Sequence, residues 1–437
     1  MVAQTSPVES HRAAIGAAFG LGYGFFAGAG VTGLSMWIGL IGIWALIWGL
    51  RGRERPLLQS LVPHLKRRWW VWLPFVAFVI WVLISAQWSP AHVLAGESVR
   101  RLTAMAILGP LAVWVVASSH PDEQNLITNG FLAGLFLALA MLFFETVSGD
   151  AINRLASPEK EPLAIDGDLG RAAAATLPLF WLGFAHLKLR FARANLFFPF
   201  VLAALLISLQ FGTDLNGVGF VLSTLAALFA LWLPRAAIGA LTGLAATMMA
   251  GAPVIYPLIH KIALHFLPNG TLPLSYARRG QMWDVAAGLI QQKPLTGWGL
   301  GAGSIFDRII EFGGMEWPLI QLHPHAAPMH IWLETGAIGA GLCTLAILAA
   351  GLAAMSVFGR SKIAASALVG GLSFVALNWA MSHAAWREWM WTSFAAVIAF
   401  SLALRTTALA RPEPDPDMDE FEDWDETDGL DGKAPIP

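Results

Sequence analysis

Hydrophobic residues run in blocks of about twenty along this chain, separated by short polar connections, and that is the length a helix needs to cross roughly 30 Å of hydrocarbon. The blocks fall at 13–30, 32–50, 69–87, 101–119, 125–147, 171–187, 195–212, 217–234, 236–258, 330–355, 364–384 and 388–404. The pattern predicts twelve transmembrane helices. Long period-2 alternation between turns, the mark of a membrane β-barrel, does not occur. The expected fold is therefore all-α and polytopic. A bundle of nine helices occupies 1–258, a large loop with short amphipathic helices 259–329, helices ten to twelve 330–404, and a tail 405–437.

Composition agrees with a bilayer setting. Hydrophobic residues make up 56% of the 437, charged residues 13%, and the mean hydropathy is +0.61; a soluble domain carries about 25% charged residues. Cys343 is the single cysteine, which excludes an intramolecular disulfide and a multi-cysteine metal site. The net charge of −2 conceals an asymmetry, because residues 412–437 hold eleven Asp/Glu against Lys433. Proline interrupts that acidic run, so the tail is expected to be disordered, and its Asp415/Asp417 pair lacks an α/β domain to make it a metal clamp. At the other end an Ala27-Gly-Ala29 stretch resembles a cleavage site. The second block begins almost at once, which favours an uncleaved first helix.

Basic residues set the expected orientation. Arg51, Arg53, Arg55, Lys66, Arg67, Arg68, Lys188, Arg190, Arg193, Arg235, Arg360, Lys362 and Arg405 all fall on one side of the twelve-span topology, together with both termini. By the positive-inside tendency that side is cytoplasmic. The loop 259–329 then lies outside, along with Arg100, Arg101, Arg154, Arg171, Arg278, Arg279 and Arg308. An anionic ligand at the outer leaflet would account for cations that break the rule.

Within the loop, residues 274–290 have helical spacing, with Met282, Val285, Leu289 and Ile290 near one face and Arg278, Arg279 and Gln281 preceding or opposing it. The segment predicts an amphipathic helix at the membrane interface. Lys293-Pro-Leu-Thr-Gly-Trp-Gly-Leu-Gly-Ala-Gly303 ends it at Pro294 and supplies glycines for tight turns. As a phosphate cradle the run lacks a preceding strand and a following Lys-Ser/Thr. A second short helix is expected near Ser304 to Phe312.

Three imidazoles follow in His323-Pro-His325-Ala-Ala-Pro-Met-His330, directly before an apolar helix that carries Glu334 and glycines at 336, 339 and 341. Polar groups at the edge of hydrocarbon are solvated, paired or functional. For Glu334 two uses stand open, pairing with an arginine or histidine and acid/base work. The glycines predict close approach of another helix. The proline-broken histidine spacing fits no compact zinc pattern. Trp69, Trp70, Trp386, Trp389 and Trp391 near span ends read as interface anchors, whereas Trp298 and Trp317 in the loop are candidates for stacking on sugar rings. His383, Arg387 and Glu388, between the last two spans, read as anchors with the topology to line the same cavity.

Arg279-x-x-x-Trp283, Pro294-x-x-Gly-x-Gly299, and His325 followed by Gly336 and Gly339, in a loop between spans nine and ten of twelve, together resemble the O-antigen ligase and O-antigen polymerase superfamily. The motifs cover about 65 residues and the topology covers the whole chain. The sequence departs from the family at Ala326, where Asn, Ser or Gln usually follows the histidine. It departs again at Asn216, where an arginine usually precedes a glycine at the outer start of a span. Arg171, in Asp168-Leu-Gly-Arg-Ala-Ala, is a candidate for the displaced charge.

The resemblance implies a bacterial inner-membrane glycosyltransferase of lipopolysaccharide biosynthesis with a periplasmic site. It moves a glycan from an undecaprenyl (polyprenyl) diphosphate donor to an acceptor hydroxyl on lipid A core or on another glycan. No cofactor, metal or nucleic acid is implied, and membrane lipids surround the bundle. His325 takes the place of the family's periplasmic histidine and is the expected base or acceptor-orienting group. Arg279, Arg278 and Arg171 are expected on the diphosphate, since guanidinium stays charged and bonds two oxygens at once. Glu334, His323, His330 and Trp283 are supporting candidates. A ligase is the first expectation, with an O-antigen or exopolysaccharide polymerase as the alternative. A transporter of a lipid-linked anion is disfavoured, because no repeated halves and no midplane polar cluster are visible.

Overall fold

The computed structural model describes residues 7–51, 57–190, 214–267, 274–306, 309–312, 315–318 and 323–409. Sixteen helices appear among them: α1 (Pro7–Gly28), α2 (Leu34–Arg51), α3 (Leu57–Arg67), α4 (Trp69–Ser85), α5 (His92–Ala117), α6 (Gln124–Ser148), α7 (Ala151–Ala156), α8 (Pro162–Thr176), α9 (Phe180–Arg190), α10 (Asp214–Trp232), α11 (Pro234–Ala250), α12 (Ala252–Phe266), α13 (Leu274–Gln292), α14 (Ala327–Phe358), α15 (Lys362–Ser382) and α16 (Glu388–Leu409). Every predicted apolar block outside 195–212 falls on described helix, with 171–187 divided between α8 and α9 and 236–258 between α11 and α12. That block and the acidic tail lie outside the described residues. Seven described helical segments are long and apolar enough to cross a membrane, and eight if the bent pair α11–α12 counts as one. This is fewer than the twelve expected. In α1, glycine and alanine meet the length requirement while diluting the hydropathy.

The bundle is held by small residues as much as by large ones. Helix α1 packs along α6, and a Cβ at Gly20 would lie 2.5 Å from the Phe131 Cα, so the glycines at 20, 24, 130 and 134 let two backbones meet. Around this seam Phe19, Tyr23, Ile127, Phe131 and Phe400 are fully buried. Elsewhere α4 runs along α14, α10 along α15, and α5 against both α2 and α16.

Two predicted elements differ. The ninth span does not continue to 258: α11 ends at Ala250, and α12 leaves at 95° across Gly251. The expected short helix near 304–312 is a single 3-10 turn at Ala302–Ile305, followed by strand β1 (Ile309–Phe312). Strand β1 pairs antiparallel with β2 (Met315–Pro318), Ile309 opposite Pro318 and Phe312 opposite Met315. A Gly313-Gly314 step between Ile- and Phe-rich flanks is a hairpin signal, and it outweighs the helical spacing of the charges.

Candidate active site

Helix α13 is the first support of the site. Its stripe Trp283, Ala286, Ala287 and Ile290 is buried against Tyr256, Ala326, Met329 and Leu333. Protein covers this face, so α13 packs on α12 and α14. The Tyr256 hydroxyl donates to the Ala380 carbonyl at 2.7 Å, and the Trp283 indole N–H donates to the Pro324 carbonyl at 3.2 Å. The Trp283 indole thus grips the residue before His325.

The second support is a break in α14. Gly336 adopts φ 64° and ψ −166°, a combination open essentially to glycine alone, and the helix hydrogen bonds lapse there. The glycine-rich loop fills the gap. Trp298 and Gly299 donate their N–H groups to the carbonyls of Leu333 and Glu334 at 2.9 and 2.8 Å, and the Trp81 indole donates to Thr335 at 2.9 Å. In return Ala337 and Ile338 donate to the carbonyls of Pro294 and Leu295. A Cβ on Gly297 would lie 2.5 Å from the Glu334 carbonyl carbon. The glycines at 297, 299 and 301 are left-handed turns, and the loop's N–H groups are spent on α14 rather than on a phosphate. Nor is Gly336 the helix-packing glycine expected of it. Gly339 does meet Trp81, while a Cβ on Gly341 would meet nothing within 4 Å.

Glu334 sits at the break, wholly buried. Its Oε1 accepts from the His330 Nε2 at 3.0 Å and from the Gly303 N–H at 3.2 Å, and its Oε2 accepts from the Trp386 indole at 2.6 Å. His330 Nδ1 accepts the Ala385 N–H at 3.2 Å, so the ring proton resides on Nε2. Glu334 is thus paired with a histidine, one of the two uses open to it. Trp386, Trp389 and Trp391 are engaged by protein: Trp386 and Trp391 are half-buried, Trp389 is buried, and the Trp391 indole donates to the Ala385 carbonyl. Trp69, by contrast, is 61% exposed. Trp298 is also employed, its indole donating to Leu289 and its ring lying 4.2 Å from the Lys293 ammonium. The side chain of Trp317 lies outside the described residues.

His325 stands above this frame with a left-handed backbone, φ 51°, which costs a non-glycine residue about 1 kcal/mol or more. Its N–H donates to His323 Nδ1 at 3.1 Å, and its own Nδ1 lies 3.1 Å from the Ser382 carbonyl. A carbonyl only accepts, so the proton is on Nδ1 and the lone pair is on Nε2. Burial, then the charge of Arg279, press its pKa down to about 4, partly offset by the Ser382 bond, with Arg278 and Arg387 adding to the fall. The ring is neutral at physiological pH.

Arg279 reaches the same residue, its guanidinium 3.4 Å from both the Ser382 Oγ and the Met381 carbonyl and over the Tyr276 ring at 5.4 Å. Burial disfavours its charge, and it has no carboxylate partner among the described residues. His383, expected only as an anchor, belongs here too. Burial, then the charges of His325, Arg279, Arg387 and Arg171, hold its pKa down to about 3. Arg171 makes the last and smallest of these contributions from α8, where it is ion-paired to Asp168, which Lys160 shares. The Asn216 amide donates to the Gly170 carbonyl at 3.1 Å, which places the two helix positions side by side. Sequence reasoning missed Ser382, whose hydroxyl carries no signal by itself. His323 packs its ring 4.4 Å from His325 and 6.0 Å from His330, and no three His, Cys, Asp or Glu side chains converge on a metal-sized point among the described residues.

No protein-family model matches the chain. It is 24% identical over 310 residues to a Rickettsia conorii protein that carries the name "putative polysaccharide ligase", covering 67% of this chain and 71% of that protein. A Rickettsia felis protein of the same name is 23% identical over 273 residues, covering 60% of this chain and 63% of the relative. The chain thus spans about two thirds of the length of the relatives it matches. It is an apolar, helical membrane protein distantly similar to proteins named for polysaccharide ligation.

Proposed function

We propose that the chain is a membrane glycosyltransferase of the O-antigen ligase type, joining a glycan carried on a polyprenyl diphosphate to an acceptor hydroxyl at the outer face of a bacterial inner membrane. The observation that carries the reading is the neutral His325, its Nδ1 proton fixed on the Ser382 carbonyl and its Nε2 without a partner among the described residues, under the influence of the guanidinium groups of Arg279, Arg278 and Arg387. The relatives' shared name supports the same class.

In this reading Arg279, Arg278 and Arg171 hold the diphosphate. The acceptor oxygen forms a bond to the anomeric carbon of the donor sugar, and the bond from that carbon to the phosphate oxygen breaks. Its electron pair leaves with the polyprenyl diphosphate, where the arginines offset the developing charge. The acceptor's proton passes to His325 Nε2. Donor binding also prepares the base, since the diphosphate's negative charge counters the cations that depress the imidazole.

In a strain lacking the protein, His325→Ala or Arg279→Ala at normal protein levels is expected not to restore the transferred surface glycan. Full restoration by both variants ends the assignment. Whether the lost product is glycan on lipid A core or chain length on the carrier separates ligase from polymerase.

A further inference from the structure

A cavity opens beside His323 and His330. Its walls come from α5, the 3-10 turn after the glycine loop, the mouth of α14 and the α15–α16 connection, and the groups that matter are Arg101, His323, Arg387 and Glu388. We propose that this cavity is the acceptor subsite and that it takes a hydroxyl-rich sugar. The proposal rests on the glycan-transfer reading above.

Position comes first. A transferase must bring two substrates to one reacting centre from different directions. His323 lines the cavity and packs its ring 4.4 Å from that of His325, whose Nδ1 bonds the Ser382 carbonyl while Arg279 approaches the Ser382 hydroxyl. Arg387 lines the cavity and also contributes to depressing both histidines. The cavity therefore adjoins the reacting centre without containing Arg279.

The chemistry of the walls then separates the two substrates. Arg101 donates to Glu97 at 3.0 Å and to Glu388 at 3.2 Å, so its charge is already offset by two carboxylates. Carboxylates repel a diphosphate, whereas alternating guanidinium and carboxylate groups present donors and acceptors in turn, as vicinal sugar hydroxyls require. His323 adds a donor: its Nδ1 is filled by the His325 N–H, which leaves the proton of the neutral ring on Nε2. The floor offers no such groups. Glu334, His330 and the Trp386 indole satisfy one another and the backbone of Gly303 and Ala385, a preorganised surface that stays in place when a ligand arrives.

The test uses the full chain with Cys343→Ala, which removes the single native thiol, and Leu94→Cys, which puts one on the cavity wall away from the polar groups. Leu102→Cys serves if the first variant does not accumulate. In cells lacking the native protein, transfer by the unmodified cysteine variant sets the reference. Reaction with a membrane-impermeant maleimide of disaccharide size should then lower transfer by about tenfold or more, while farnesyl diphosphate binding to the solubilised protein stays within about twofold. Unchanged transfer after complete modification overturns the proposal. Parallel loss of farnesyl diphosphate binding also overturns it, by giving the cavity to the donor. Transfer that persists in His325→Ala cells sinks the transfer reading itself, and the subsite with it.

Discussion

His330 donates from Nε2 to the Glu334 carboxylate at 3.0 Å, one helical turn further along α14, while its Nδ1 accepts the N–H of Ala385 from the α15–α16 connection. One imidazole thereby joins a helix break to the connection that carries His383 and Arg387. Glu334→Ala would strand the Trp386 indole, the Gly303 N–H and the His330 ring in a dry interior. A loss on the order of 3–5 kcal/mol is expected, as for other broken buried pairs. Glu334→Gln keeps the shape and one acceptor and is expected to cost roughly 1–3 kcal/mol. Thermal unfolding of the solubilised protein reads the order; equal melting temperatures for Glu334→Ala and the parent would contradict it.

Gly336 and Gly341 look alike in the sequence and are expected to behave oppositely. A Cβ at Gly336 would run into the Leu295 carbonyl from a φ of 64°, so Gly336→Ala should remove folded protein from the membrane. Gly341 is helical with open space around it, and Gly341→Ala should stabilise α14 by roughly 0.5–1 kcal/mol. Expression level and melting temperature of the two variants decide the matter. A well-folded Gly336→Ala protein would mean that the break in α14 is dispensable.

That pair also marks where the sequence stops being informative. Hydropathy located the helices because span length and apolarity are local properties, and the i, i+4 spacing of His330 and Glu334 already put them on one face. A glycine that breaks a helix and a glycine that admits a neighbour leave the same letter, and only the docked Pro294–Gly299 loop distinguishes them. Arg387 and His383 read as anchors because their proximity to His325 depends on how α15 returns beside α14. The left-handed backbone at His325 sits among its own bonds to His323 and Ser382 and the Trp283 bond to the Pro324 carbonyl, and two of these partners arrive from distant helices.

The histidine cluster makes the protein sensitive to acid in a defined direction. Unfolded, His325 and His383 protonate near the ordinary 6.5; folded, burial and the surrounding cations hold them at about 4 and about 3. Between those values the unfolded chain binds more protons. The contribution of these neutral rings to stability is therefore complete above pH 6.5 and is lost as pH falls toward 4 and 3. The melting temperature should decline through that window, and less steeply in His325→Gln. Arg279→Met removes one of the charges that depress His325, so any residual transfer should show its acidic limb at higher pH than the parent does. A limb that stays put would detach Arg279 from the base.

Trp283→Phe keeps most of the packing against Tyr256 but deletes the indole bond to the Pro324 carbonyl. The fold should lose about 1 kcal/mol, the usual worth of one such bond. The turnover of the transfer should fall further than that loss explains, because Pro324 precedes the strained His325 and a misplaced base costs rate rather than binding. Purified enzyme with farnesyl diphosphate as a binding probe separates the two: binding retained with turnover reduced is the expected outcome. Binding and turnover falling together would make Trp283 a packing residue only.

Asn216 and Arg171 provide the sharpest test of whether a charge has moved between neighbouring helices. The Asn216 amide bonds the carbonyl of the residue before Arg171, so a guanidinium placed on either backbone starts from nearly the same point. Arg171→Ala is expected to reduce transfer, through loss of a cation that acts at His383. Adding Asn216→Arg to that variant should restore part of it, even though a larger side chain at a buried position carries a packing cost of roughly 1–3 kcal/mol. The single Asn216→Arg variant controls for that cost. If the double variant reaches the membrane at the level of this control yet transfers no more than Arg171→Ala alone, the two positions are not interchangeable and Arg171 serves Asp168 and Lys160 rather than the diphosphate.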